Sequence, residues 1–243
     1  IGESQITIEG ADVNHIVHVL RMKPGEELLL CTGEDDREYR CRISRIEEMS
    51  VTAEILWVEE RGVELPCRIY LFQGLPKSDK MELIIQKAVE LGVYEVIPVA
   101  SRRSVVKLDA KKEEAKRKRW NAIAESAAKQ SKRMLIPQVT KVMTFPEALE
   151  YGAGLDVKLI PYELAENMEH TRELVKSIRP GQSVGIYIGP EGGFEREEVA
   201  LAMERGARAV TLGRRILRTE TAGMALLSVL MFELEDRQGA PAG

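Results

Sequence analysis

Ser183-Val184-Gly185-Ile186-Tyr187-Ile188, then Gly189-Pro190-Glu191-Gly192-Gly193-Phe194, then a helical run from Glu195 to Arg205, read as strand, tight turn and helix. The carboxylates Glu195, Glu197 and Glu198 suit the positive end of that helix. Glycines in the turn tolerate positive φ and let a ligand approach the backbone itself. Taken alone, the stretch also fits an ordinary βα turn. A second segment, Leu212-Gly213-Arg214-Arg215-Ile216-Leu217-Arg218-Thr219-Glu220-Thr221-Ala222, shifts the reading toward a pocket. Its polar and charged groups crowd the mouth of a helix, Thr221 to Glu235, that is apolar nearly all round and so predicted to be buried.

Outward from the turn, strands and helices alternate from Arg68 onward. Strands are predicted at Arg68–Phe72, Tyr94–Val99, Asp156–Ile160, Ser183–Ile188 and Ala209–Leu212. Helices are predicted at Asp79–Leu91, Ala110–Ser131, Thr171–Ile178, Glu195–Arg205 and Thr221–Glu235. Strands separated by helices of this length imply crossovers and a mostly parallel α/β sheet, whose ligands gather beyond the strands' carboxyl ends. The Pro161-Tyr162-Glu163 turn, the Gly189 turn and the Leu212 segment follow three different strands, so they are expected to converge there.

The first 64 residues differ in style. Three strand-like runs, Glu27–Thr32, Glu38–Ile46 and Val51–Val58, form a small β-rich unit, with Arg40, Arg42 and Arg45 alternating outward from the second. His15 and His18 lie three apart, on one face if Ala11–Leu20 is helical; packing or RNA contact is the expected role rather than half a metal site. Glu59 to Pro66 reads as a linker, giving domains 1–64 and 68–243.

With 243 residues the chain can bury a sizeable core without covalent staples. Cys31, Cys41 and Cys67 are odd in number and widely spaced, which excludes a disulfide framework or a zinc site by pattern and predicts small packing residues. No membrane-length apolar run and no leader pattern are present, so a cytoplasmic protein is expected. The net charge of −4 is uneven: Arg102 to Arg133 holds 12 Lys plus Arg against 4 Asp plus Glu, a local +8 against −12 for the remainder. That stretch reads either as an RNA-facing surface or as a solvated helix laced with i,i+4 ion pairs; Arg102, Arg103 and Lys107, beyond the helix, favour RNA.

The turn lacks the Gly-Lys-Ser/Thr ending of a phosphate-cradling loop, and no strand is followed by G-x-G-x-x-G. Glu191 within the turn disfavours a polyphosphate and suits a cationic or amine-bearing ligand.

Several stretches together resemble the RsmE family of 16S rRNA uridine-N3 methyltransferases in the SPOUT superfamily. They are Gly74-Leu75-Pro76-Lys77-Ser78-Asp79-Lys80-Met81-Glu82, Ile85 to Val93, Ser101 to Val106, Arg119-Trp120, Glu125 to Arg133 with Pro137, Gly189 to Phe194, and Leu212 to Ala222. The resemblance runs through nearly the whole chain and implies an N-terminal PUA-like RNA-binding β-barrel carrying the His15 to Arg21 segment. It further implies a SPOUT-type trefoil-knotted, mostly parallel α/β domain, a homodimer, and S-adenosylmethionine as methyl donor. It also implies that this sequence enters just after the family's Arg- and Phe-bearing first strand.

By the same resemblance, Pro161, Tyr162 and Glu163 form the first cofactor loop, and Ile188, Gly189, Pro190, Glu191, Gly192 and Gly193 the second. Leu212, Gly213, Ile216, Leu217, Thr221 and Ala222 form the third. Arg218 and Glu220 fall where the methyl group meets the uridine. His15, Arg21, Lys77, Arg102, Arg103, Lys129 and Arg133 are the expected RNA contacts, and no metal is expected. For Arg218 and Glu220 the alternative reading is a mutual ion pair capping the final helix.

Overall fold

The computed structural model describes residues 2, 4–60, 62–104, 109–162, 165 and 167–235, and the chain divides into two compact units. The first comprises residues 1–64 together with Arg133–Leu135. Its strands are β1 (Gln5–Glu9), β2 (Glu27–Cys31), β3 (Arg37–Ile46) and β4 (Ser50–Glu60), antiparallel in the order β1-β4-β3-β2. Among the described residues this order is open rather than closed into a barrel, and β1, whose Gln-Ile-Thr-Ile-Glu alternates, is a strand the sequence reading did not assign.

Alternation decides which face of β3 is buried: Tyr39, Cys41 and Ile43 point inward, while Arg40 and Arg42 point out and share the Glu27 carboxylate across the strand pair. The helix expected over Ala11–Leu20 is a short α1 (Ala11–Asn14) running into a π-helical turn, His15–Val19. Val13 and Ile16 supply its packing, whereas His15 and His18 are exposed, so they are not core residues. Cys41 and Cys67 are buried as expected, but Cys31 is exposed.

Arg133–Leu135 belongs to this unit because Glu64 grips it. The Glu64 carboxylate receives the Arg133 guanidinium and the main-chain N–H groups of Met134 and Leu135, both at 3.1 Å. Arg133 was expected to contact RNA; its side chain is only 6% exposed and closed around Glu64, so it is a structural ion-pair partner instead.

The second unit comprises residues 65–132 and 136–243. Its strands are β5 (Arg68–Gly74), β6 (Glu95–Ala100), β7 (Gln138–Val139), β8 (Met143–Thr144), β9 (Val157–Pro161), β10 (Ser183–Ile188) and β11 (Arg208–Val210). They are parallel throughout, in the order β11-β9-β10-β5-β6-β7, with β8 also on β6. The helices are α2 (Lys80–Glu90), α3 (Ala110–Gln130), α4 (Phe145–Tyr151), α5 (Met168–Ser177), α6 (Arg196–Glu204) and α7 (Thr219–Leu234).

Period-2 side chains split the strands between two cores. Ile69, Leu71, Val184 and Ile186 pack with α2, α3, α5 and α7; Phe72 and Tyr187, stacked at 4.3 Å, pack with α4 and α6. Helices therefore cover both faces, as near-continuous apolar strands require. Helix α4 escaped the sequence reading although it is announced locally: Thr144 caps it, Glu147 closes the reciprocal capping box and Pro146 lies in its first turn. Helix α7 begins at Thr219 and is not buried all round. Leu226, Leu227, Leu230 and Leu234 face the core, while Val229 and Phe232 are exposed, Phe232 by 82%.

Candidate functional site

Strands β11, β9 and β10 are neighbours and parallel, so their carboxyl ends deliver three loops to one edge of the sheet. Hydrogen bonds knit these loops together. Tyr162 N donates to Val210 O at 3.0 Å, joining the loop after β9 to the end of β11. Thr219 Oγ1 donates to Gly189 O at 2.6 Å, joining the start of α7 to the glycine turn. Beneath them Gln73, fully buried at the end of β5, donates from Nε2 to Thr219 Oγ1 at 2.8 Å and to Gly74 O at 3.0 Å.

The glycines are there for space as much as for φ. A Cβ on Gly189 would stand 2.7 Å from the carbonyl carbon of Gly193, and one on Gly74 would stand 2.6 Å from Pro190. The turn closes with Gly193 N donating to Pro190 O at 2.8 Å, and Gly193 adopts φ +67°. In the third loop Gly213 has φ +109° and its N–H donates to Thr211 Oγ1. Ile216 stands 91% exposed there, while Leu212 and Leu217 are half-buried.

Glu191, expected to face a cationic ligand, is instead engaged by the protein. Its Oε1 accepts from Lys77 N at 3.0 Å and lies 3.2 Å from Lys80 Nζ. Partial burial alone would push this carboxyl up, but the main-chain N–H groups of Glu191 and Lys77, with Lys80 behind them, outweigh it and hold the group below its usual range. Arg102 and Arg103 also brace this region. Arg103 Nη1 donates to Gly192 O at 2.6 Å; Arg102 N donates to Glu198 at 2.9 Å and its Nη1 to Glu195 at 3.1 Å, against the capping box that opens α6.

Glu220 sits in the first turn of α7 with Oε2 buried and without a hydrogen bond; its ion-pair partner is Lys80, 3.4 Å away. The alternative of an Arg218–Glu220 pair is therefore not what forms. Arg218 is exposed, offers no side-chain cap, and makes no ion pair or side-chain hydrogen bond among the described residues. Thr221 and Ala222 follow on α7, exposed and half-buried respectively. Glu163, Lys107, Val105 and Val106 lie outside the described residues.

Of the expected RNA contacts, His15, Arg21 and Lys77 are exposed, Arg21 with φ +55°. Lys129 is exposed and pairs with Glu125 at 2.8 Å. Helix α3 as a whole follows the ion-paired reading closely: Lys112 with Asp109, Arg117 and Lys118 with Glu114, Arg119 with Glu82. Much of its charge is thereby answered within the fold.

The comparisons with known proteins agree with one another. A model of the RNA methyltransferase domain matches residues 63–231, and one of the RNA methyltransferase PUA domain matches residues 8–56. The chain belongs to the RNA methyltransferase family. Its relatives include the ribosomal RNA small subunit methyltransferase E of Bacillus subtilis, 39% identical over 96% of this chain and 92% of that one. Another is the protein of the same name from Mesomycoplasma hyopneumoniae, 34% identical over 93% of each. Among solved structures, the Neisseria gonorrhoeae ribosomal RNA small subunit methyltransferase E bound to S-adenosyl methionine superposes with a TM-score of 0.78, at 33% identity over 96% of this chain and 93% of that one.

In this RNA methyltransferase the residues that hold the loops together are partly ones that motif reading passed over: Gln73, Thr219 and Lys80. Two carried a legible signal. A glutamine closing an otherwise apolar strand is a buried amide that needs partners, and a lysine opening a helix sits against the helix dipole.

Proposed function

We propose that the protein is an S-adenosylmethionine-dependent methyltransferase acting on N3 of a uridine in 16S rRNA of the small ribosomal subunit. The observation that carries this is the convergence of three strand-end loops beside an exposed Arg218 side chain and a Glu220 oxygen that, among the described residues, have no hydrogen bond. The donor fits the residues present: among the described residues buried Gln73 Oε1 is an acceptor without a hydrogen bond, and a ligand bringing N–H groups answers an acceptor. Residues 161–163, 188–193, 212, 213, 216 and 217, with Thr221 and Ala222, would hold it, Ile216 supplying an exposed apolar surface. When bound, the donor supplies an electrophilic methyl group.

The chain's own residues then have to manage a proton. N3 of uracil retains its imide proton at neutral pH, so transfer requires its removal and stabilisation of the negative charge left on the ring. The Glu220 carboxylate accepts the proton, and the exposed Arg218 guanidinium meets the developing charge. The base has to be unpaired or flipped out at a cost of a few kcal/mol. His15, Arg21, Lys77 and Lys129 contribute phosphate contacts that position the RNA.

The reading extends to a homodimer in the cytoplasm. Support for the dimer is the apolar face of α7 left exposed at Val229 and Phe232. No helix among the described residues is long and apolar enough to cross a membrane.

Incubation with S-adenosylmethionine and unmodified small-subunit RNA, followed by nucleoside mass spectrometry, should yield N3-methyluridine. A methylated ribose 2′-hydroxyl or guanine N1 would assign a different specificity, and no product would assign a binding protein. Arg218→Ala should abolish transfer with donor affinity nearly intact; comparable loss of both would refute the division of roles.

A further inference from the structure

Lys80 opens α2, where the helix dipole disfavours a cation, yet its side chain is 29% exposed and turned toward two carboxylates from distant parts of the chain. Glu191 comes from the glycine turn after β10 and Glu220 from the first turn of α7. Neither carboxylate is a near neighbour of Lys80 in sequence, so this is no i,i+4 pair of the kind that laces α3.

The two carboxylates are not equivalent. Glu191 already accepts from Lys77 N, whereas Glu220 Oε2 is buried with no hydrogen bond, and Lys80 is the cation within ion-pair reach of it. The other charged groups around this point are Glu191 itself, Lys77 on the loop before α2, exposed Asp79 preceding Lys80, and Arg218 two residues before Glu220. The hydrogen bond to Glu191, with Glu220 beside it, holds the Lys80 ammonium above its usual range against a smaller opposing desolvation. An ammonium has three donors, so both carboxylates can be served from one nitrogen.

We infer that Lys80 is a positioning residue of the methyl-transfer site, fixing Glu220 as an aimed proton acceptor by tying it to Glu191 of the glycine turn. The inference rests on the proposed methyl transfer to uridine N3. In that reaction the N3–H bond breaks, its proton goes to the Glu220 carboxylate, and the N3–methyl bond replaces the sulfur–methyl bond of the donor. A carboxylate free to swing among rotamers presents its oxygens to N3 only part of the time, so restraining it favours the reactive geometry without adding a contact to the donor.

The test uses Lys80→Met and Lys80→Arg in the full chain, with Lys80→Gln as a second neutral variant. NMR relaxation of the glutamate side-chain methylenes without RNA or donor should show Glu220 gaining mobility in Lys80→Met and Lys80→Gln and keeping wild-type order in Lys80→Arg. With RNA and donor, Lys80→Met should lose ~10-fold or more in kcat. Donor Kd by calorimetry should change less than about twofold, and Lys80→Arg should recover part of the rate.

Unchanged Glu220 order in both neutral variants would overturn the inference. So would a rate loss matched by an equal rise in donor Kd, or one that Lys80→Arg fails to recover while its Glu220 order is normal. A wild-type protein that forms no N3-methyluridine would sink the proposed function instead, while the NMR comparison would still decide the Lys80–Glu220 link.

Discussion

A methyl group added at Gly189 is the sharpest probe of the site. In Gly189→Ala the new Cβ would stand 2.7 Å from Gly193 C, 2.8 Å from Gly193 Cα and 2.8 Å from Phe194 N. All three are main-chain atoms, so no side chain can swing aside. Reaching an ordinary contact of about 3.4 Å requires the two limbs of the turn to separate by roughly 0.7 Å, an overpacking that costs ~1–3 kcal/mol. The separation pulls on Thr219 Oγ1 to Gly189 O, Gly193 N to Pro190 O and Arg103 Nη1 to Gly192 O, which hold the turn against α7 and the Ser101–Ser104 loop. Misplacement of binding groups by about 1 Å is worth ~100-fold. Calorimetry should therefore show donor affinity falling by about that factor, with a melting-temperature drop accounting for the overpacking. Gly193→Ala is the control: its Cβ meets open space, so only the φ of +67° is strained, at ~1–2 kcal/mol. Wild-type affinity and stability in Gly189→Ala, or a larger effect in Gly193→Ala, would refute the steric reasoning.

Four further outcomes are expected. Glu64→Ala removes the carboxylate shared by the Arg133 guanidinium and two main-chain N–H groups, and should cost ~3–5 kcal/mol in denaturant unfolding; Glu64→Gln, which keeps an acceptor for the N–H groups, should cost less. Glu191 is held below the ordinary glutamate range in the folded chain, so its stabilisation is fully present above that range and is lost as pH falls through the lower folded value. The stability gap between wild type and Glu191→Gln should accordingly close on acidification below pH 4.5, and a gap that widens there would contradict the assignment. Phe232→Asp places a charge on the exposed face of α7 and should shift the protein to monomer in light scattering without lowering its melting temperature. Affinity for small-subunit RNA should fall steeply with salt, log K losing ~0.7–0.9 per phosphate contact for each tenfold rise; a flat response would remove phosphate docking from the account.

What the sequence alone determined follows from local rules. Period-2 and period-3.6 patterning placed most strands and helices of the second unit within a few residues, and alternation with crossovers implied a parallel sheet and hence loops meeting at its carboxyl edge. The Gly189 turn and the Arg218–Glu220 segment stood out as a candidate site because glycine and charge are costly where they do not serve. Charge partners were not legible, since an ion pair depends on which segments the fold brings within about 4 Å. Arg133 looked like the end of a basic stretch, but Glu64 buries it. The alternative that paired Glu220 with Arg218 is not what forms, because Lys80, 140 positions away, takes Glu220. Glu191 looked free for a ligand, but Lys77 and Lys80 hold it. Sequence specifies which groups the chain carries and which local shape each stretch prefers; only tertiary structure decides which charges meet, because electrostatic partnership falls off with distance in space and is blind to distance along the chain.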